Sequence, residues 1–131
     1  TSWFDVCTWP INLSEPEGPE GMEEAVELVH GMLNKLLGEG LPAEQIFLGG
    51  FSQGGTAALL SGLTYSSRLG GLISISGWCA YREELAKKVN AANSAVPVFF
   101  SCGRADPTVD FELSKKSGEI LTEILGEAVS V

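Results

Sequence analysis

Gly50, Ser52 and Gly54 set a serine between two glycines at the spacing Gly-x-Ser-x-Gly. Before them runs Gln45-Ile-Phe-Leu-Gly, and after them Gln53-Gly-Gly-Thr-Ala-Ala-Leu-Leu. The order predicts a buried strand, a tight turn at Ser52 and then a helix. The apolar run Ile46, Phe47, Leu48 and Phe51 is of the kind that fills a sheet covered on both faces. Such a turn forces the serine into a strained backbone conformation, and small flanking residues let strand and helix approach closely. Its chemistry would be nucleophilic: an exposed hydroxyl at the carboxyl end of a strand, beside the free N–H groups of a helix start. The backbone N–H of Gln53 would be the first of those oxyanion donors. A Walker phosphate loop is disfavoured because no Gly-Lys-Ser/Thr follows, and Gly49, Gly50, Gly54 and Gly55 miss the register of a dinucleotide fingerprint.

A serine nucleophile needs a base and a carboxylate that orients the base. With this elbow the chain order is serine, acid, histidine. Asp106 fits the acid: it follows an apolar strand, in the loop Gly103-Arg-Ala-Asp-Pro-Thr-Val109. An aspartate before proline is also a common turn residue, but with the serine upstream the acid role is favoured. The base is the gap. The single histidine, His30, precedes Ser52 on a helix flank, where a structural role is expected.

The elements that must hold these groups alternate along the chain. Residues 1–21 are irregular and aromatic-rich, with Trp3, Phe4 and Trp9 expected to pack over core or pocket. Residues 22–37 read as an amphipathic helix with Met22, Ala25, Val26, Val29, Leu33, Leu36 and Leu37 on one face and Glu23, Glu24 and Glu27 in its first turns. Gly38-Glu-Gly40 and Pro42 end it. A helix over 53–63, a strand over 71–77, a short polar helix over 82–89, a strand over 96–102 and a helix over 111–125 follow. Ala128 to Val131 looks like another strand. The alternation predicts an α/β fold: a parallel sheet of about four strands with helices on both faces. Ligands in such sheets bind beyond the carboxyl ends of the strands, where Ser52, Trp78 and Asp106 all fall.

Composition narrows the function classes. The 131 residues suffice for one modest domain. The formal net charge of −9 disfavours nucleic acid and anionic membranes as partners. No run is apolar enough to cross a bilayer and no signal pattern opens the chain. Three scattered cysteines, Cys7, Cys79 and Cys102, fit reduced thiols in a cytoplasmic setting, with Cys102 and Cys79 expected to be buried. No metal or organic cofactor is indicated.

Four stretches together carry a more specific signal: Ser2-Trp-Phe-Asp5, Gly50-Phe-Ser-Gln-Gly-Gly55, Ser74-Ile-Ser-Gly-Trp78 and Gly103-Arg-Ala-Asp-Pro-Thr-Val109. In order and spacing the sequence resembles the acyl-protein thioesterase and phospholipase/carboxylesterase family of α/β-hydrolases, over nearly its whole length. The resemblance implies Ser52 as nucleophile, Asp106 as triad acid, the Gln53 N–H as an oxyanion donor, and Trp3, Phe4 and Trp78 near the acyl or leaving-group pocket. It implies hydrolysis of thioesters or carboxylic esters, with an acylated protein or a small ester or lysolipid as substrate. Family members also carry an early His-Gly-x-Gly-Asp loop and a late Gly-His segment, and neither is found in residues 1–131. The sequence therefore reads as an incomplete α/β-hydrolase, the middle of a longer protein, expected to self-associate through an exposed sheet edge. The alternative expectation is a catalytically inactive relative that binds acyl chains or a partner.

Overall fold

Four parallel strands pair in the order in which they occur along the chain. The structure, a computed structural model, describes residues 2–131. Its elements are α1 (Met22–Gly38), β1 (Phe47–Phe51), α2 (Gln53–Thr64), β2 (Gly71–Ile75), α3 (Leu85–Lys88), β3 (Val98–Ser101), α4 (Phe111–Leu125) and β4 (Val129–Ser130). In register, Gly50 lies opposite Ser74 and Phe51 opposite Ile75. Leu72 lies opposite Val98, which in turn faces Val129.

The α/β class and the four parallel strands are as the sequence indicates, but the expected disposition of the helices needs correction. Parallel strands taken in unreversed order, joined by right-handed crossovers, send every connection over the same face. Leu72, Ser74, Val98 and Phe100 point to that face and are buried. Gly55 of α2 packs on Ser74, and Gly118 of α4 packs toward Phe100. Among the described residues the opposite face carries no helix. Phe47 and Phe51 are 65% and 69% exposed there, and Ile73, Ile75 and Phe99 are also open. The apolar run around β1 is thus covered on one side only.

The covered side is a continuous core. Trp78, Phe100, Leu59, Leu63, Leu72, Leu113 and Leu121 are essentially inaccessible, and each such side chain contributes about 1.5–3 kcal/mol by leaving water. Helix α2 is buried almost all round, from Gly55 to Leu63, because the sheet lies on one side and α1 on the other. Met22, Ala25, Val29 and Leu33 form the inner stripe of α1. His30 bridges the two helices: its Nε2 lies 2.8 Å from the Ser61 carbonyl oxygen, and its ring stands edge-on to Tyr65. That is the structural role expected of it.

The cysteines divide differently from expectation. Cys79 is buried, with its backbone N–H donating to Ser117 Oγ at 2.9 Å, while Cys102 is half-buried and Cys7 exposed. All three are free thiols. Burial pushes the Cys79 thiol up to about 12, since a thiolate there would lose its water.

Candidate active site

At the carboxyl end of β1 the chain reverses into α2 through Ser52, whose φ of 53° and ψ of −122° lie outside the conformations an L-residue ordinarily adopts. Two interactions hold it there. The Ser52 N–H donates to the Ile75 carbonyl at 2.8 Å, extending the β1–β2 ladder by one residue. Behind it, strand and helix touch at Gly50: a Cβ built on Gly50 would sit 2.2 Å from the carbonyl carbon and oxygen of Gly54. On the helix side the close residue is Gly55, where a Cβ would meet Ser74 Oγ at 2.6 Å. Gly54, the second glycine of the sequence pattern, has only the Trp3 indole within reach, at 3.6 Å.

Because α2 begins at Gln53, that residue's N–H has no carbonyl four residues back within the helix to bond. Together with the helix dipole it favours negative charge beside the Ser52 hydroxyl. The Gln53 side chain serves a different purpose. Its Nε2 donates to the Phe4 carbonyl at 3.0 Å and ties the N-terminal segment over the helix start.

That segment builds a cavity of about 680 Å³ in front of the serine, open to solvent. Ser52, Gln53 and Phe51 line it together with Trp3, Cys7, Thr8, Trp9 and Thr108. Of the aromatic residues expected near a pocket, Trp3 lines the cavity. Phe4 and Trp78 do not. They stack edge to face with ring centroids 5.8 Å apart, 3% and 2% exposed, in the core beneath. The Trp78 N–H donates to Thr56 Oγ1, fixing the end of β2 to α2.

Asp106 sits in the loop after β3. Its Oδ1 accepts from the N–H groups of Thr108 at 2.8 Å and Val109 at 3.0 Å. These bonds, Val109 first, with the Ser76 hydroxyl adding to them, hold its carboxyl below the usual carboxylate range. Ser76 has φ 52°, and its N–H donates to the Ser101 carbonyl at 2.7 Å. Ser52 and Asp106 therefore lie at the same sheet edge, linked through the end of β2. Thr108, not Asp106, reaches the cavity wall.

The sequence did not single out Cys7, Thr8 or Thr108 as cavity residues, nor Glu15 behind them. Glu15 is 4% exposed, with its carboxylate turned onto the backbone of Cys7 and Thr8. The loop has no periodicity, so its pattern offered no signal. A buried glutamate in a segment rich in Pro and Gly announces itself only through its partners. Among the described residues no three His, Cys, Asp or Glu side chains converge to hold a metal ion, and no helix is long and apolar enough to cross a membrane.

A parallel sheet ending in a strained serine at a helix start defines an α/β-hydrolase fold. Matching the phospholipase/carboxylesterase family profile over residues 1–131, the chain belongs to that family. It is 39% identical over 111 residues to a probable carboxylesterase of Oryza sativa subsp. japonica, covering 85% of this chain and 42% of that protein. It is 36% identical over 124 residues to acyl-protein thioesterase 1 of Gibberella zeae, covering 91% of this chain and 53% of that protein. The crystal structure of Arabidopsis thaliana SOBER1 superposes with a TM-score of 0.87 at 32% identity, covering 94% of this chain and 59% of that one. The chain spans about half the length of the curated relatives it matches.

Proposed function

We propose that the protein hydrolyses thioesters or carboxylic esters of acyl groups with Ser52 as nucleophile. The observation that carries this reading is the backbone of Ser52 (φ 53°, ψ −122°) at the start of α2, facing an open cavity. In this reading Ser52 Oγ attacks the acyl carbonyl carbon while a histidine base takes its proton. The Gln53 N–H, at the helix start, donates to the oxyanion. Collapse of the tetrahedral intermediate expels a thiol or alcohol and leaves an acyl-serine, which water then hydrolyses. Asp106 orients the base, and a carboxyl held ionised by two backbone N–H groups suits that role.

The base is not His30, which is committed to the α1–α2 contact. The reading therefore takes it from sequence outside residues 1–131, and residues 1–131 alone should turn over very little substrate. The relatives, which include acyl-protein thioesterases and probable carboxylesterases, support an acylated protein or a small ester as the substrate class. Strand β1, at the end of the sheet, and the uncovered apolar sheet face beside it support self-association when these residues stand alone. The same His30 placement favours a second reading, in which the cavity binds acyl chains without turnover. The test is hydrolysis of p-nitrophenyl butyrate and a palmitoyl-cysteine peptide by the full protein and its Ser52→Ala variant. Serine-dependent turnover supports the first reading; binding without turnover supports the second.

A further inference from the structure

Cys7, Thr8, Trp9 and Ile11 of an irregular loop line the cavity together with Ser52, and one buried carboxylate holds that loop from within. Glu15 is 4% exposed. Its Oε1 and Oε2 lie 3.0 and 3.2 Å from the Cys7 N–H, and Oε1 also accepts from both the N–H and the hydroxyl of Thr8. Thr8 Oγ1 in turn accepts from the Asn12 N–H at 3.1 Å. The outer end of the loop is pinned to the Asp106 loop, since the Ile11 N–H donates to the Thr108 carbonyl and the Asp110 N–H to the Ile11 carbonyl, both at 2.8 Å. Its base is clamped by Arg82, whose Nη2 donates to the Glu15 carbonyl at 2.9 Å and pairs with Glu17 at 2.7 Å.

A loop with no ladder of its own satisfies its backbone through side chains or water. Here the two successive N–H groups that present Cys7 and Thr8 to the cavity are satisfied by Glu15. We infer that Glu15 is a positioning residue for specificity: by fixing the Cys7–Trp9 wall it sets how the cavity receives the distal part of an acyl chain. This rests on the esterase reading above. Glu15 does not line the cavity and touches no reacting atom, so its removal acts on the wall and not on the serine. Long chains that extend along the wall depend on it; an acetyl group, confined to the serine, does not.

The experiment compares wild type with Glu15→Ala, Glu15→Gln and Thr8→Val in the full protein, using p-nitrophenyl acetate and p-nitrophenyl decanoate, with rates per fluorophosphonate-titrated site. Losing charge-assisted bonds to a buried acceptor is expected to raise KM for decanoate about tenfold in Glu15→Ala, with kcat for both esters and KM for acetate within about twofold. Glu15→Gln keeps one carbonyl acceptor and should fall between, and Thr8→Val should shift KM for decanoate in the same direction by less. In parallel, hydrogen exchange at the Cys7 and Thr8 amides should speed up about tenfold or more in Glu15→Ala. Equal losses for both esters, or unchanged decanoate KM, would overturn the inference. If the wild type shows no Ser52-dependent hydrolysis, the esterase reading fails by itself. Glu15 is then judged by amide exchange and by decanoate binding followed through tryptophan fluorescence: weakened binding with faster exchange upholds its role, and unchanged binding refutes it.

Discussion

Replacing Gly50 with alanine should damage both stability and site, while the same change at Gly54 should not. The Gly50 Cβ would lie 2.2 Å from two backbone atoms of Gly54 and 2.7 Å from the Gly55 nitrogen. Backbone cannot rotate away as a side chain can, so β1 and the first turn of α2 must separate by more than ~1 Å to reach ordinary contact. Overpacking of this kind costs about 1–3 kcal/mol, and a clash with backbone on the helix side belongs at the upper end. In urea that lowers the midpoint by about 1–3 M. The separation also moves Ser52 relative to the Gln53 N–H, and a displacement of about 1 Å near a reacting group costs on the order of a hundredfold in turnover. At Gly54 the nearest obstacle is an indole nitrogen at 3.6 Å, and alanine is the better helix former. Gly54→Ala should leave the urea midpoint unchanged or slightly raised. Equal damage from the two substitutions, or none from Gly50→Ala, would refute the steric account of the elbow.

Three other expectations follow from particular side chains. At neutral pH an alkylating reagent should modify Cys7 readily and leave Cys79 untouched until unfolding, because burial holds the Cys79 thiol up to about 12; peptide mapping checks this. The Asp106 carboxyl is lowered from 3.8 in the folded state, so its bonds to Val109 and Thr108 stabilise the fold above the unfolded range and are lost as pH falls through the folded value. The stability difference between wild type and Asp106→Ala should therefore be flat at neutral pH and shrink under acid denaturation; a difference that grows toward low pH would contradict it. Finally, residues 1–131 alone should self-associate in a concentration-dependent way through the open sheet face, and the double variant Phe51→Lys, Phe99→Lys should shift sedimentation toward monomer.

Much of the fold is legible because its signals are local. The 3.6-residue stripe of α1 and the run from Phe111 to Leu125 gave helices within a residue of those observed. The serine turn announced itself through glycines, although the tight contact turns out to be Gly50 against the Gly54 and Gly55 backbone. The side of the sheet on which helices lie is not local. It depends on strand order, and the apolar Phe47 and Phe51 read alike whether covered or open. Trp78 and Phe4 illustrate the same limit: composition marks them as anchors, but only packing separates a core pair from a cavity wall. The Glu15 hub was illegible because its meaning lies in bonds to residues seven and eight positions away in a loop without period.

Whether Ser52 is an activated nucleophile is decided by treating the full protein with a fluorophosphonate and locating the adduct by mass spectrometry. A single phosphonylated residue, Ser52, is expected, with labelling and ester hydrolysis both lost in Ser52→Ala. Hydrolysis that persists in Ser52→Ala, or an adduct on another serine, would contradict it.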